Sequence, residues 1–256
     1  MKRFTLMMAV LVMLVTAGAL KAQNYGIVFG ELEVTEANAA DIFGDGMASY
    51  DVATNKLVLQ DGFTYSLSHD LVTINTGREF HIVLEGSAAM VASIDCNDPI
   101  AVESVDEDLK TLKITSNISG SALKCQKLTA KPHVFLDLIS RNSQINMYAL
   151  DCEELMVDGA MFFAEVTTTE LAVHTNVLTL NDCYLRKPAG GGVNADHGGI
   201  CYADGTPAKL VRITVNGEGL DEIEVPEQSI VKKIFEKGQM VIVKDGHRYD
   251  LTGREL

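Results

Sequence analysis

The sequence predicts an all-β protein, a parallel β-solenoid followed by a short C-terminal β-hairpin tail. Three observations predict it. A phrase reading apolar–x–small apolar, a polar gap, then apolar–x–apolar returns at intervals of 20 to 29 residues. Period-two alternation, the mark of a strand with one buried side, runs through each copy. No long amphipathic helical window follows the N-terminal apolar stretch.

The N-terminal stretch, residues 1–22, reads as a secretory signal. Lys2 and Arg3 supply the positive region, Phe4 to Val15 is nearly all apolar, and Leu20-Lys21-Ala22 offers a cleavage site before Gln23. The run is too short to span a bilayer comfortably and no second run follows. No stable membrane insertion of the mature chain is expected, and no Cys after the apolar region invites a lipid. The expected location is the periplasm, the outer surface or the medium.

The solenoid is assigned to residues 23–216. Ile27 to about Val34 reads as a first strand that caps the open end, where an uncovered coil would expose strand edges and apolar core. The repeat is clearest in Ala122-Leu123-Lys124-Cys125-Gln126-Lys127-Leu128-Thr129-Ala130 against Ala149-Leu150-Asp151-Cys152-Glu153-Glu154-Leu155-Met156-Val157. Looser copies begin at Ile74, at Ile94-Asp95-Cys96 and at Val173-His174-Thr175-Asn176. With Ile74, Ile94, Leu123, Leu150 and Val173 as anchors the steps are 20, 29, 27 and 23 residues. Units of this length bury their apolar side only against neighbours, which is the logic of a solenoid. Asp61-Gly62, Glu85-Gly86, Asp158-Gly159 and Asn181-Asp182 supply the turns. A β-sandwich shares short strands and frequent turns, but the internal repeat favours the coil.

The glycine-rich stretch Gly190 to Gly199 has no phosphate-binding Lys and no following helix, so it reads as a turn-rich cap. Lys209 to Val215 reads as a last strand. Residues 217–229, acidic and containing Pro226, read as a linker. In residues 230–256, Met240 to Lys244 meets His247 to Leu251 through Asp245-Gly246, a hairpin turn. An isolated hairpin is marginal in water.

Five cysteines is an odd number, so at least one is unpaired or pairs between chains. Cys96, Cys125 and Cys152 each follow their anchor by two residues and are expected to form one inward row of free thiols. Strands about 4.8 Å apart hold stacked Cβ atoms slightly too far apart for an easy bridge. Cys183 and Cys201 lie off the row, and their state is left open.

Without Lys2, Arg3 and Lys21 the formal net charge falls from −14 to −17. That charge argues against nucleic acid and against anionic lipid. It fits an exported soluble chain and permits a divalent cation.

Two passages carry a resemblance. Val34-Thr35-Glu36-Ala37-Asn38-Ala39-Ala40-Asp41-Ile42-Phe43-Gly44-Asp45-Gly46 continues to Ser49 through Leu59. Leu178-Thr179-Leu180-Asn181-Asp182 is followed by Lys187-Pro188-Ala189-Gly190-Gly191 and Asp204 to Lys209. Together they resemble secreted bacterial β-solenoid proteins grouped with extracellular carbohydrate-binding β-helix domains. The resemblance implies a right-handed parallel coil and contact with glycan or calcium. No binding residue of that family has a counterpart here. The tail, from Lys233-Ile234-Phe235 through Leu251-Thr252-Gly253-Arg254-Glu255, resembles C-terminal tails of exported Bacteroidetes proteins, some of which are sorting signals.

A search for chemistry yields no catalytic or cofactor-binding set. Asp95 with Asp98, Asp106 with Asp108 and Glu153 with Glu154 are acid pairs that also suit solvated turns. Asp95, Asn97 and Asp98 are the nearest approach to a calcium loop, which needs six to eight oxygens. The six His show no zinc spacing, and no Gly-x-Ser-x-Gly occurs. The chain has no Trp; Tyr65, Tyr148, Tyr184 and Tyr202 are the residues on which a sugar ring could stack. Phe162-Phe163 reads as core plus rim. The expected function is a secreted or cell-surface, non-catalytic module that binds polysaccharide or a matrix protein along a strand face. A polysaccharide lyase or hydrolase of β-helix type and a structural surface or assembly subunit are the alternatives. The first alternative requires acids from successive coils to converge in one groove beside a Lys or Arg.

Overall fold

In a computed structural model of the chain, the described residues are 23–117, 120–141, 147–167, 170–216, 232–236, 239–244 and 247–249; the side chains of 67–70 and of the last three segments are not described. The expected signal, residues 1–22, and linker, residues 217–229, lie outside them. The chain forms two compact units, Met1–Asn216 and Gly217–Leu256. The described residues contain strands and turns and no helix.

The alternation of apolar and polar residues folds as strands whose inward side chains stack coil on coil. Parallel coils form a β-solenoid of about five turns, with three faces. The first face holds residues 71–74, 93–96, 123–125, 150–152 and Val173–His174. The second holds Lys56–Leu59, Phe80–Leu84, Ile100–Ser104, residues 128–130 and 154–158, and Val177–Asn181. The third holds residues 64–66 and 88–90, then Lys110–Ser116, Val134–Ser140 and Met161–Val166. The strands Leu123–Ala130 and Leu150–Asp158 run through the corner between the first two faces.

Registry makes each inward row a column of like residues. Phe80, Ile100, Leu128, Leu155 and Leu178 pair in sequence up the second face. Leu112, Leu136, Phe162 and Ile213 do so on the third. Nearly all are fully buried, and they belong to one hydrophobic core. Leu178, in the last coil, remains partly open to solvent.

On the first face, Val72, not Ile74, pairs with Ile94. Leu123, Leu150 and Val173 continue that column as the spacing predicts. Ile74 stands one inward position further on, opposite Cys96. An apolar residue fits either inward position of a strand, so composition alone misplaces this anchor by two residues.

Both ends of the solenoid are covered by antiparallel strands. Residues 27–29 pair with 72–74, and the expected first strand is a hairpin of Asn24–Phe29 with Leu32–Thr35. At the other end Leu210–Val215 runs antiparallel to Met161–Val166 and to Cys183–Lys187. Gly199–Cys201, within the glycine-rich stretch, closes onto His174. The tail contains three antiparallel strands, Lys232–Glu236, Gln239–Lys244 and His247–Tyr249, where the sequence predicts two. The charged start of Lys232-Lys233-Ile234-Phe235-Glu236 masks its alternation.

Candidate functional site

The repeat that builds the first face also sets what it presents to solvent. The inward pair of each coil, such as Leu123 and Cys125, flanks one outward side chain, and a second polar residue follows at the corner. Registry stacks Asp95, Lys124, Asp151 and His174 in one outward row. Asn97, Gln126, Glu153 and Asn176, each two positions further along, form a parallel row at the corner, and all four are exposed. Between the rows lie Cys96, Cys125 and Cys152. The result is a groove of about 480 Å³ lined by these residues other than Asp95, which stands at its edge beside Lys124. Four coils at about 4.8 Å per strand spacing make it roughly 14 Å long.

Its upper end is the most ordered part chemically. His174 Nδ1 lies 2.7 Å from Asp151 Oδ1, which fixes the proton on Nδ1 as donor. The Tyr148 ring stacks on the imidazole, with centroids 4.9 Å apart and planes 14° from parallel. Gly198 lies beside the ring: a Cβ added there would sit 3.0 Å from His174 Nε2. Gly198 also has φ of +63°, a conformation glycine adopts without strain. Lower down, Lys124 Nζ is 4.0 Å from Asp95 Oδ1. Lys127 pairs with Glu154 at 3.2 Å just beyond the corner.

The groove floor is apolar and unreactive. All five cysteines are free and buried. Burial pushes the Cys96 thiol up to about 11 and the Cys152 thiol up to about 12, and raises Cys125 well above its ordinary value. In the last coil Thr175 takes the place of cysteine. Its buried hydroxyl lies 3.0 Å from the Val177 carbonyl and 3.2 Å from that of Glu153.

A second polar cluster lies on the second face. Glu103 accepts hydrogen bonds from Lys56 at 2.9 Å and Lys131 at 2.8 Å. His81 Nδ1 stands 3.6 Å from the same carboxylate and Nε2 3.6 Å from Glu79. Burial works to raise the Glu103 pKa. The hydrogen bonds and charges of Lys131 and Lys56 outweigh it and hold the carboxyl below its usual range.

The acid pairs separate. Asp95 stands in the outward row beside Lys124, whereas the Asp98 carboxylate turns back and accepts the Thr76 and Gly77 N–H groups at 2.7 and 2.9 Å. Asp95, Asn97 and Asp98 therefore do not share one centre. Asp106 and Asp108 both bind Lys110 in a turn. Glu153 joins the groove and Glu154 leaves it. Among the described residues no group of three or more His, Cys, Asp or Glu is placed to hold a metal ion. Of the tyrosines, Tyr65 packs in the core against Phe29 and Phe43, Tyr148 borders the groove, and Tyr184 and Tyr202 are exposed elsewhere. Phe162 is core and Phe163 faces outward, half-buried. Composition did not single out Lys124, Gln126, Asp151 or Asn176, although aligning the repeat copies superimposes them.

No family model, curated protein or solved structure matches this chain.

Proposed function

We propose that this protein is an exported, non-catalytic module that binds a glycan chain lengthwise in the groove of the first face. The observation that carries the reading is the two polar rows held in register over four coils, with the Tyr148–His174 stack at one end. Such a surface offers donors and acceptors at a fixed spacing along an extended polymer, and its inward residues are locked by the core, so little ordering is needed on binding. The N-terminal signal supports export, and the glycan reading accords with the resemblance noted above.

Depolymerisation is the second reading. Asp151 and Glu153, both from one coil, line the groove beside Lys124 of the neighbouring coil, and Asp95 stands on the far side of Lys124, whereas a β-helix lyase or hydrolase requires acids from successive coils to converge. Also against it, Asp151 is already held by the imidazole through Nδ1, and Nε2 is the one ring nitrogen left to act as base. A general base needs a nitrogen that reaches the proton it takes.

Both readings are tested in one assay. The mature chain is titrated with neutral and charged polysaccharides, with and without calcium, while released ends are measured. Binding without release, weakened tenfold or more by Gln126→Ala with Tyr148→Ala, supports the module. Release of product moves the assignment to an enzyme. Absence of both leaves a structural surface or assembly role, with self-association as the next measurement.

A further inference from the structure

We infer that the groove selects glycans bearing free amino groups, such as de-N-acetylated hexosamine polymers, and rejects polyuronates; the inference rests on the groove being the glycan site. Its charge pattern decides the matter. Two carboxylates, from Asp151 and Glu153, line the groove with one ammonium, from Lys124, and a third, Asp95, flanks that ammonium in the outward row.

That ammonium is already committed. Lys124 sits between Asp95 and Asp151 in the outward row, with Asp95 Oδ1 at 4.0 Å. A ligand carboxylate approaching Lys124 would meet both neighbours about one strand spacing away, and like charges that close repel. Asp151 is in turn engaged by His174 at 2.7 Å. Glu153 differs from the others. Its side chain is exposed at the corner and makes no ion pair among the described residues. A ligand ammonium placed between Glu153 and Asp151 would meet two carboxylates.

The Tyr148–His174 stack stands at the upper end of the groove, beside Asp151. The whole mature chain, with a large excess of acids, adds a long-range field of the same sign.

The experiment uses the full mature chain and three oligosaccharides of equal length: a glucosamine oligomer, its fully N-acetylated form and an oligogalacturonate. Affinities are measured at pH 6.5 in low salt and in 0.5 M salt. The glucosamine oligomer should bind at least tenfold more tightly than the N-acetylated one. High salt should erase that ratio, because a screened charge contact no longer discriminates. Glu153→Gln should bring the ratio to within about threefold of unity, by weakening the glucosamine oligomer more than the N-acetylated one. Glu153 is exposed, so the variant keeps the core intact; the Tyr signal in near-ultraviolet circular dichroism reports it. Equal binding of the amino and acetylated oligomers, or tighter binding of the uronate, overturns the inference and leaves the groove as the glycan site. Failure of all three to bind overturns both.

Discussion

His174 and Asp151, 23 residues apart in sequence, occupy adjacent rungs of one row and meet at 2.7 Å. The pair exists because Leu150 and Val173 align in the core. Inward registry thus determines outward chemistry, and perturbing either should be visible in the other.

Gly198→Ala tests the packing of the imidazole. The substitution places a Cβ 3.0 Å from Nε2 and forces a side chain onto φ of +63°. It should cost about 1–3 kcal/mol and shift the Tyr148 ring signals in an NMR spectrum. Gly190→Ala is the control, because its φ is +68° but nothing lies within 4 Å of the added carbon. It should show the backbone cost without the Tyr148 shift.

The thiol row should be inert in the folded protein. At pH 8 an aromatic disulfide reagent should titrate none of the five cysteines within minutes, and all five after unfolding, because burial holds the thiols in their unreactive protonated form. Cys125→Ser should destabilise by about 1–3 kcal/mol, because it buries a more polar hydroxyl in place of a thiol in the core.

Glu103 should make stability pH-dependent on the acid side. Its folded pKa lies below the ordinary value of 4.5, so its contribution is complete above about pH 5 and is lost as pH falls through the depressed folded value. Urea midpoints measured from pH 7 to pH 3 should fall less steeply below pH 4.5 in Glu103→Gln than in the natural chain. Parallel curves would assign the acid limb to other carboxylates.

Core columns should weigh more in the middle than at the end. Leu155→Ala removes a side chain that is 1 % exposed between Leu128 and Leu178 and should cost about 3 kcal/mol. Leu178→Ala acts on a partly solvated residue of the last coil, and should cost less than half as much. Denaturant unfolding of the two variants compares them directly.

The sequence made the coil legible because its strongest copies, around Leu123 and Leu150, differ little in length and share both inward residues. It misplaced Ile74 because the first coil has no cysteine to mark the second inward position, and Val72 and Ile74 are equally good core residues. The direction of Leu210–Val215 was not readable either: a strand's pattern of alternation is the same read up or down the sheet. The groove was legible in principle. Aligning Asp95, Lys124, Asp151 and His174 by their anchors reproduces the row. Read one at a time, each is an ordinary surface residue, and only registry turns them into neighbours. The position of Tyr148 over His174 depends on the turn path before Ala149, which no periodicity encodes.

The stacked rows have a consequence for how this protein can change over generations. Each coil contributes one residue to every row, and the end strands touch only the first and last coils. Duplicating a unit such as 123–149 would lengthen the groove by one position, about 4.8 Å, and leave both caps and every existing contact pattern in place. The length of the groove is therefore a matter of copy number, while its chemistry is written separately in the one or two outward letters of each copy.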